Sequence, residues 1–168
     1  MKSLKQLFSI SLFAVLTLGA SAAFTRDTSS NDDRELNLRA YTEMLRADVN
    51  SKRVAIITQI MEFSDADAAI FWPLFRDYDH ELSKVADTRI QLISDYIKNY
   101  DYISEVKANE LMSGAFAIEA ERAGLKKKHF DIMSKALSAR TAARFFQIEN
   151  QMQDVVDLQI SANLPALQ

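Results

Sequence analysis

Apolar side chains in this chain recur every three or four residues in four separate runs, and the breaks between the runs are short and polar. Such spacing lays an apolar stripe along one side of an α-helix. The first run, Leu38, Tyr41, Leu45, Val49, Ile56, Ile60 and Phe63, predicts a helix from about Glu35 to Met61. The second carries Phe71, Leu74, Phe75, Tyr78, Leu82, Val85, Leu92, Tyr96 and Tyr100. The third, about Glu105 to Lys135, repeats Leu111, Ile118, Leu125 and Ile132 every seven residues. A seven-residue repeat marks a helix that wraps shallowly around a partner. The fourth places Phe145, Ile148, Met152, Val155 and Gln159 on one side, and Pro165 stands where the helix should stop.

The breaks carry their own signals. The stretches "FSDADAAIF" (Phe63 to Phe71) and "LSARTAARF" (Leu137 to Phe145) share an apolar residue, a Ser, an Ala pair and a final Phe. Ser64 and Ser138 are good N-caps, and Asp67 occupies the acidic position of a capping box. Phe63 and Leu137 are placed to fold back on the new helix as hydrophobic staples. Two similar starts suggest two related helical hairpins, first with second and third with fourth. Between the hairpins, "KNYDYISE" offers Asp101 or Ser104 as a cap. Pro73 lies nine residues beyond Ser64, too deep for a first-turn proline, and predicts a kink or a tight turn at Ile70 to Trp72. Gly114 and Gly124 each weaken the third helix by up to about 1 kcal/mol relative to Ala, so that helix depends on a partner.

Composition fits this picture. Only three Gly and two Pro occur, which leaves little for β-hairpin turns. The first residues combine Lys2 and Lys5 with an apolar run from Leu7 to Gly19 and end in Ala20-Ser21-Ala22. This is the pattern of a cleaved signal peptide over residues 1–22, followed by a polar, flexible leader over 23–34 and a single helical domain over 35–168. The expected location is the periplasm, with the mature protein soluble. With no Cys, disulfides cannot stabilise the chain, so packing must. The chain holds 20 basic and 23 acidic side chains, and loss of Lys2 and Lys5 leaves an excess of five acids. Nucleic-acid binding, which needs a clustered basic face, is not expected.

Candidate chemistry is sparse. There is no Cys nucleophile, no phosphate loop and no Gly-rich elbow, and His80 and His129 are the only histidines. The chain is therefore expected not to be an enzyme and to use no cofactor. Asp77, His80 and Glu81 are the nearest approach to metal-ligand spacing; they and His129, which follows three Lys, are expected on solvated faces. The run "KKKHF" is an exposed helix face whose Lys126 and Lys127, with Arg122, Arg140 and Arg144, could form a basic patch for acidic partners. Trp72 falls off its helix's main stripe. With Ile90, Ile97, Met112 and Phe146 it is surplus to a shallow core, so Trp72 and Phe146 are candidate contacts for a partner or a dimer seam.

An exported, Cys-free helical chain with an apolar-Ser-x-x-polar phrase opening two helices resembles the Spy and CpxP family of periplasmic proteins. Their repeated motif, LTxxQ, is matched here by "FSDAD" and "LSART", where Asp67 and Thr141 stand in place of the Gln. The segments "FWPLFRDYDHEL" and "AARFFQIENQMQDVVDLQI" also look like exported helical proteins related to that family. The resemblance implies four helices arranged as two hairpins in a thin curved cradle that dimerises, with a role in the envelope stress response. Spy-like members hold unfolded or aggregation-prone envelope proteins without ATP. CpxP-like members restrain a membrane sensor kinase through its periplasmic domain, and another branch responds to zinc. The family's cradle is basic, whereas this mature chain is acidic.

Overall fold

The computed structural model describes residues 31–164. The expected signal peptide, the leader up to residue 30 and Pro165 lie outside the described residues. Four helices account for nearly all of the rest: α1 (Asn31–Met61), α2 (Asp65–Lys98), α3 (Glu105–Ala136) and α4 (Ala139–Asn163). No strand occurs among the described residues.

Local chemistry explains where the helices begin. Ser64, Ser104 and Ser138 each sit in extended backbone and accept a hydrogen bond from the N–H three residues on. Of the two caps proposed for α3, Ser104 is therefore the one in use. The Ser64 hydroxyl also donates to the Asp67 carboxylate at 2.9 Å, and Ser138 and Thr141 share a hydroxyl contact at 2.8 Å. Phe63 does act as a staple, but its ring stacks on Phe71 at 4.5 Å, because the usual partner position is filled by the small Ala68. Residues 31–34, expected in the leader, are helical, and Asp33 suits the positive end of the α1 dipole. No tight turn forms at Ile70 to Trp72: α2 runs through Pro73 as a single helix. At its other end α1 stops at Glu62, which takes a left-handed backbone conformation with φ of 49°.

The connections are three, six and two residues long, too short for anything but antiparallel neighbours. Cross-helix pairs confirm the directions. Ser94 bonds Glu35 and Arg53 bonds Asp79 along α1 and α2; Lys128 meets Glu81 and Lys107 meets Asp95 along α2 and α3. Lys126 meets Asn150 and Arg122 meets Asp157 along α3 and α4. The Arg144 guanidinium donates to the Ile60 carbonyl at 2.6 Å, joining the start of α4 to the end of α1. Each helix thus touches two neighbours, and α4 closes the ring against α1.

Two kinds of packing divide the bundle. Around the 62–64 and 137–138 connections lies an aromatic core. Phe145, fully buried, meets the rings of Phe71, Phe75 and Tyr78 edge-on at 5.1, 6.0 and 5.9 Å, and Phe146 lies at 4.8 Å. Edge-to-face pairs add about 0.5–1.5 kcal/mol each beyond the burial of their area. The opposite half, around the 99–104 connection, is built from aliphatic side chains such as Ile90, Ile97, Leu111 and Ile160, with charged groups among them.

The predicted stripes hold over part of each helix and drift over the rest. On α3, Leu111, Ile118 and Leu125 are buried, but Ile132 is 37% exposed and Met133 takes its place. A straight helix turns about 20° per heptad away from a strict seven-residue repeat, which moves the seam by one position. On α4, Val155 and Gln159 face solvent and Ile160 is buried. On α1 the buried side chains include Glu35, Thr42, Arg53, Ile57 and Met61, whereas Ile60 is exposed; the side chains of Leu38, Leu45 and Val49 lie outside the described residues.

Candidate functional site

Polar side chains sit in the bundle interior in three layers. In the first, Arg53 of α1 grips Glu149 of α4 with two parallel hydrogen bonds, Nε to Oε2 at 3.1 Å and Nη2 to Oε1 at 2.6 Å. Its third nitrogen donates to Asp79, and the Tyr78 hydroxyl donates to Glu149 Oε1 at 3.1 Å. The guanidinium also lies over the Phe75 ring, 5.0 Å from its centre. Burial would lower the Arg53 pKa, but the charge and hydrogen bonds of Glu149, with Asp79 behind it, raise it above its usual value. Burial pushes the Tyr78 phenol up, and the adjacent Glu149 carboxylate pushes it the same way.

The second layer joins Arg89 of α2 and Arg122 of α3 through Asp157 of α4. Arg122 Nη1 donates to Asp157 Oδ2 at 2.9 Å and its Nη2 to Glu119; Arg89 Nη1 and Gln153 Nε2 both reach Asp157 Oδ1. Burial would raise the Asp157 carboxyl, but hydrogen bonds from Arg89 and Gln153 outweigh it and hold the group below its ordinary range. In the third layer Ser94 donates to Glu35, whose other oxygen is 3.2 Å from the Lys98 ammonium.

Between the first two layers lies a cavity of about 110 Å³, walled by aliphatic side chains and by Arg53, Arg89 and Arg122. A larger groove of about 450 Å³ lies on the outside, between α2 and α3 in the aliphatic half. Its walls are Leu92, Ile93, Tyr96, Leu111, Met112 and Phe116, and Leu164 borders it past the end of α4. The helices meet closely at Gly114, where a Cβ would come within 2.8 Å of Leu92, and the small Ala108 and Ala115 on either side leave the trough. Phe116 is 67% exposed and Met112 47%, so the groove shows an apolar face to solvent.

The residues singled out from the sequence do not come together as one site. Phe146 belongs to the core, packed edge-on against Phe145, Tyr78 and Phe130, and is not a surplus surface ring. Trp72 is half-buried and packs edge-on against Phe71 and Phe75. Arg122 is buried in the Asp157 layer and offers no rim charge. Lys126 reaches Asn150, Lys127 pairs with Asp131, Arg144 caps α1, and Arg140 is exposed near the start of α4. The expected basic patch is thus split among several partners. Burial, with Arg122 nearby, lowers the Lys126 pKa.

His80 is exposed as expected, but His129 is 97% covered, its ring 5.3 Å from that of Tyr78 and neither ring nitrogen hydrogen-bonded. Its Nε2 stands 3.4 Å from Glu81, whose carboxylate is held by Lys128; that hydrogen bond is the main reason the Glu81 pKa lies below its usual value. Among the described residues no three His, Cys, Asp or Glu side chains converge as a metal site, and no helix is long and apolar enough to cross a membrane.

Arg53, Glu149, Arg89 and Asp157 were not legible as a set. The one signal was positional: Arg53 precedes the buried Ile57 by one turn, and Glu149 follows Phe145 by one turn, so both occupy stripe positions although they were left out of the stripes. Comparison with protein-family models, with curated proteins and with solved structures finds no match to this chain.

Proposed function

We propose that this protein is an exported, ATP-independent holding chaperone that binds unfolded or aggregation-prone envelope proteins, with the α2–α3 groove as its client surface. The observation that carries this reading is the exposed Phe116 and Met112 at the mouth of an apolar trough, in a bundle whose own core does not use them. Concave apolar surfaces of this kind mark contacts with other polypeptides. Chain segments with large apolar side chains would lie in the groove by burial alone. Such contacts are weak and reversible, so release needs no energy source. The serine-capped starts of α2 and α4 support the Spy/CpxP likeness, and with it the periplasmic location and a homodimer, although the four helices close into a ring and not into an open cradle.

The test is an aggregation assay with several unrelated unfolded clients, run beside a mass measurement in solution. Wild-type protein should delay aggregation of most clients, and a Met112→Ser, Phe116→Ser double variant should keep its helicity and lose most of that effect. Failure with every client would sink the reading. Binding to a sensor kinase's periplasmic domain, with no effect on clients, would replace it by the CpxP-like regulatory role.

A further inference from the structure

The α2–α3 groove exists because α4 ends early. Arg122 of α3 lies opposite Asp157 of α4, and α4 stops six residues later at Asn163. Its last turn therefore stands level with Phe116, and about three turns of α3, from Glu105 onward, run on beyond it. The groove walls Leu92, Tyr96, Leu111 and Met112 belong to this overhang of α2 and α3.

The chain arrives at the edge of that space. Leu164, which caps α4, already lines the groove. Its backbone is extended, with ψ of 129°, the conformation that a following proline imposes. Because α4 runs toward the 99–104 connection, the residues after Leu164 start where the overhang starts. Four extended residues span at most about 14 Å, and the overhanging turns of α3 measure about 16 Å.

Chemistry agrees with reach. Leu164, Pro165, Ala166 and Leu167 form an apolar run, and no charged side chain follows Asp157. Among the described residues the charged groups lining the groove are Arg89 and Glu119, which are engaged with Asp157 and Arg122. The groove therefore suits an apolar occupant and not an ionic one.

We propose that residues 165–168 of this chain dock in the α2–α3 groove and continue the path of α4 in extended form. Three extended residues advance about 10 Å, or about seven residues along α3, which brings Leu167 level with Ala108 to Met112. Because the segment is tethered at Leu164, it docks at high effective concentration. It also competes with any client for the same apolar walls. That competition rests on the holding-chaperone reading; the docking does not.

The chain contains no cysteine, so an introduced pair reports proximity without interference. In the purified protein, Ala108→Cys with Leu167→Cys should form an intramolecular disulfide under mild oxidation, which requires the two Cα atoms to come within about 7 Å. Asn109 lies on the exposed side of the same turn. Asn109→Cys with Leu167→Cys should react at least about tenfold more slowly, since its Cβ points away from the groove. In a chain without cysteines, Leu167→Ser should raise binding of an apolar fluorescent dye by about tenfold, the least that burial of one leucine contributes to an equilibrium. Adding Met112→Ser and Phe116→Ser should remove that gain. No disulfide, equal reaction of the two pairs, disulfides only between molecules, or unchanged dye binding in the Leu167→Ser variant would overturn the docking. Selective crosslinking with no effect on any client, in the wild-type or the Leu167→Ser protein, keeps the docking and rejects the holding function. A Leu167→Ser protein that holds clients at lower concentration than wild type supports both.

Discussion

The two ends of this bundle hold together by different means. Near the 62–64 and 137–138 connections, the rings of Phe71, Phe75, Tyr78, Phe145 and Phe146 interlock in the buried core, and Arg144 ties α4 to α1. Around the 99–104 connection, thinner aliphatic side chains share the interior with Arg89, Arg122, Asp157 and Glu35, and both the cavity and the outer groove extend into that half. Aromatic rings fill the wide space at the centre of four helices, whereas aliphatic chains fill it only if the helices draw closer, which buried ion pairs resist. The aromatic half is held by interlocked rings, and the aliphatic half retains a cavity and an exposed apolar groove.

Core truncation should separate the halves most strongly. Phe145→Ala should cost about 3–5 kcal/mol in denaturant unfolding, and Ile160→Ala nearer 2 kcal/mol, because its surroundings already border open space. An equal loss at both sites would erase the distinction. At the boundary between the halves, Arg53→Leu leaves Glu149 buried without its partner and should cost about 3–5 kcal/mol, whereas the double change Arg53→Leu, Glu149→Leu should recover much of that loss. A double-mutant cycle reads the difference directly.

Acid and alkali should probe the halves separately. The Asp157 pKa is lower in the folded protein than in the unfolded chain, so its contribution is present above about pH 4 and fades as pH falls through the folded value. Asp157→Asn should flatten the acid side of a plot of unfolding midpoint against pH. The Tyr78 pKa is raised, so its contribution is whole below about pH 10 and declines as pH rises beyond that. Tyr78→Phe should flatten the alkaline side.

Smaller effects should come from the backbone. Gly124 has open space where a Cβ would stand, so Gly124→Ala should stabilise by about 0.5–1 kcal/mol. At Gly114 the added methyl meets Leu92 at 2.8 Å, so the same change should gain less or destabilise, and calorimetric melting distinguishes the two.

Much of the secondary structure was legible in the residues. The serine caps, the four helical runs and the short connections appear where spacing and capping chemistry place them, because those interactions are local. Stripe membership was harder to read. Val155 and Ile60 have the right chemistry for burial and face solvent, while Arg53, Glu149 and His129 have the wrong chemistry and are buried. Helical periodicity identifies a stripe only when polar residues are assumed to lie outside it, and three layers of this interior break that assumption. The same assumption assigned Arg122 to the surface, and the expectation of a shallow core assigned Phe146 there; both are buried.

The sequence by itself determined that the described chain is helical, where α2, α3 and α4 start and that neighbours run antiparallel, since caps, propensities and loop lengths act within a few residues. Only the tertiary structure decided that α4 closes on α1, that Arg53 finds Glu149 from 96 residues away, and that a cavity and a groove remain in the aliphatic half. Charge pairing across a bundle depends on which helix faces come to lie opposite one another, and that is settled by packing all four helices at once.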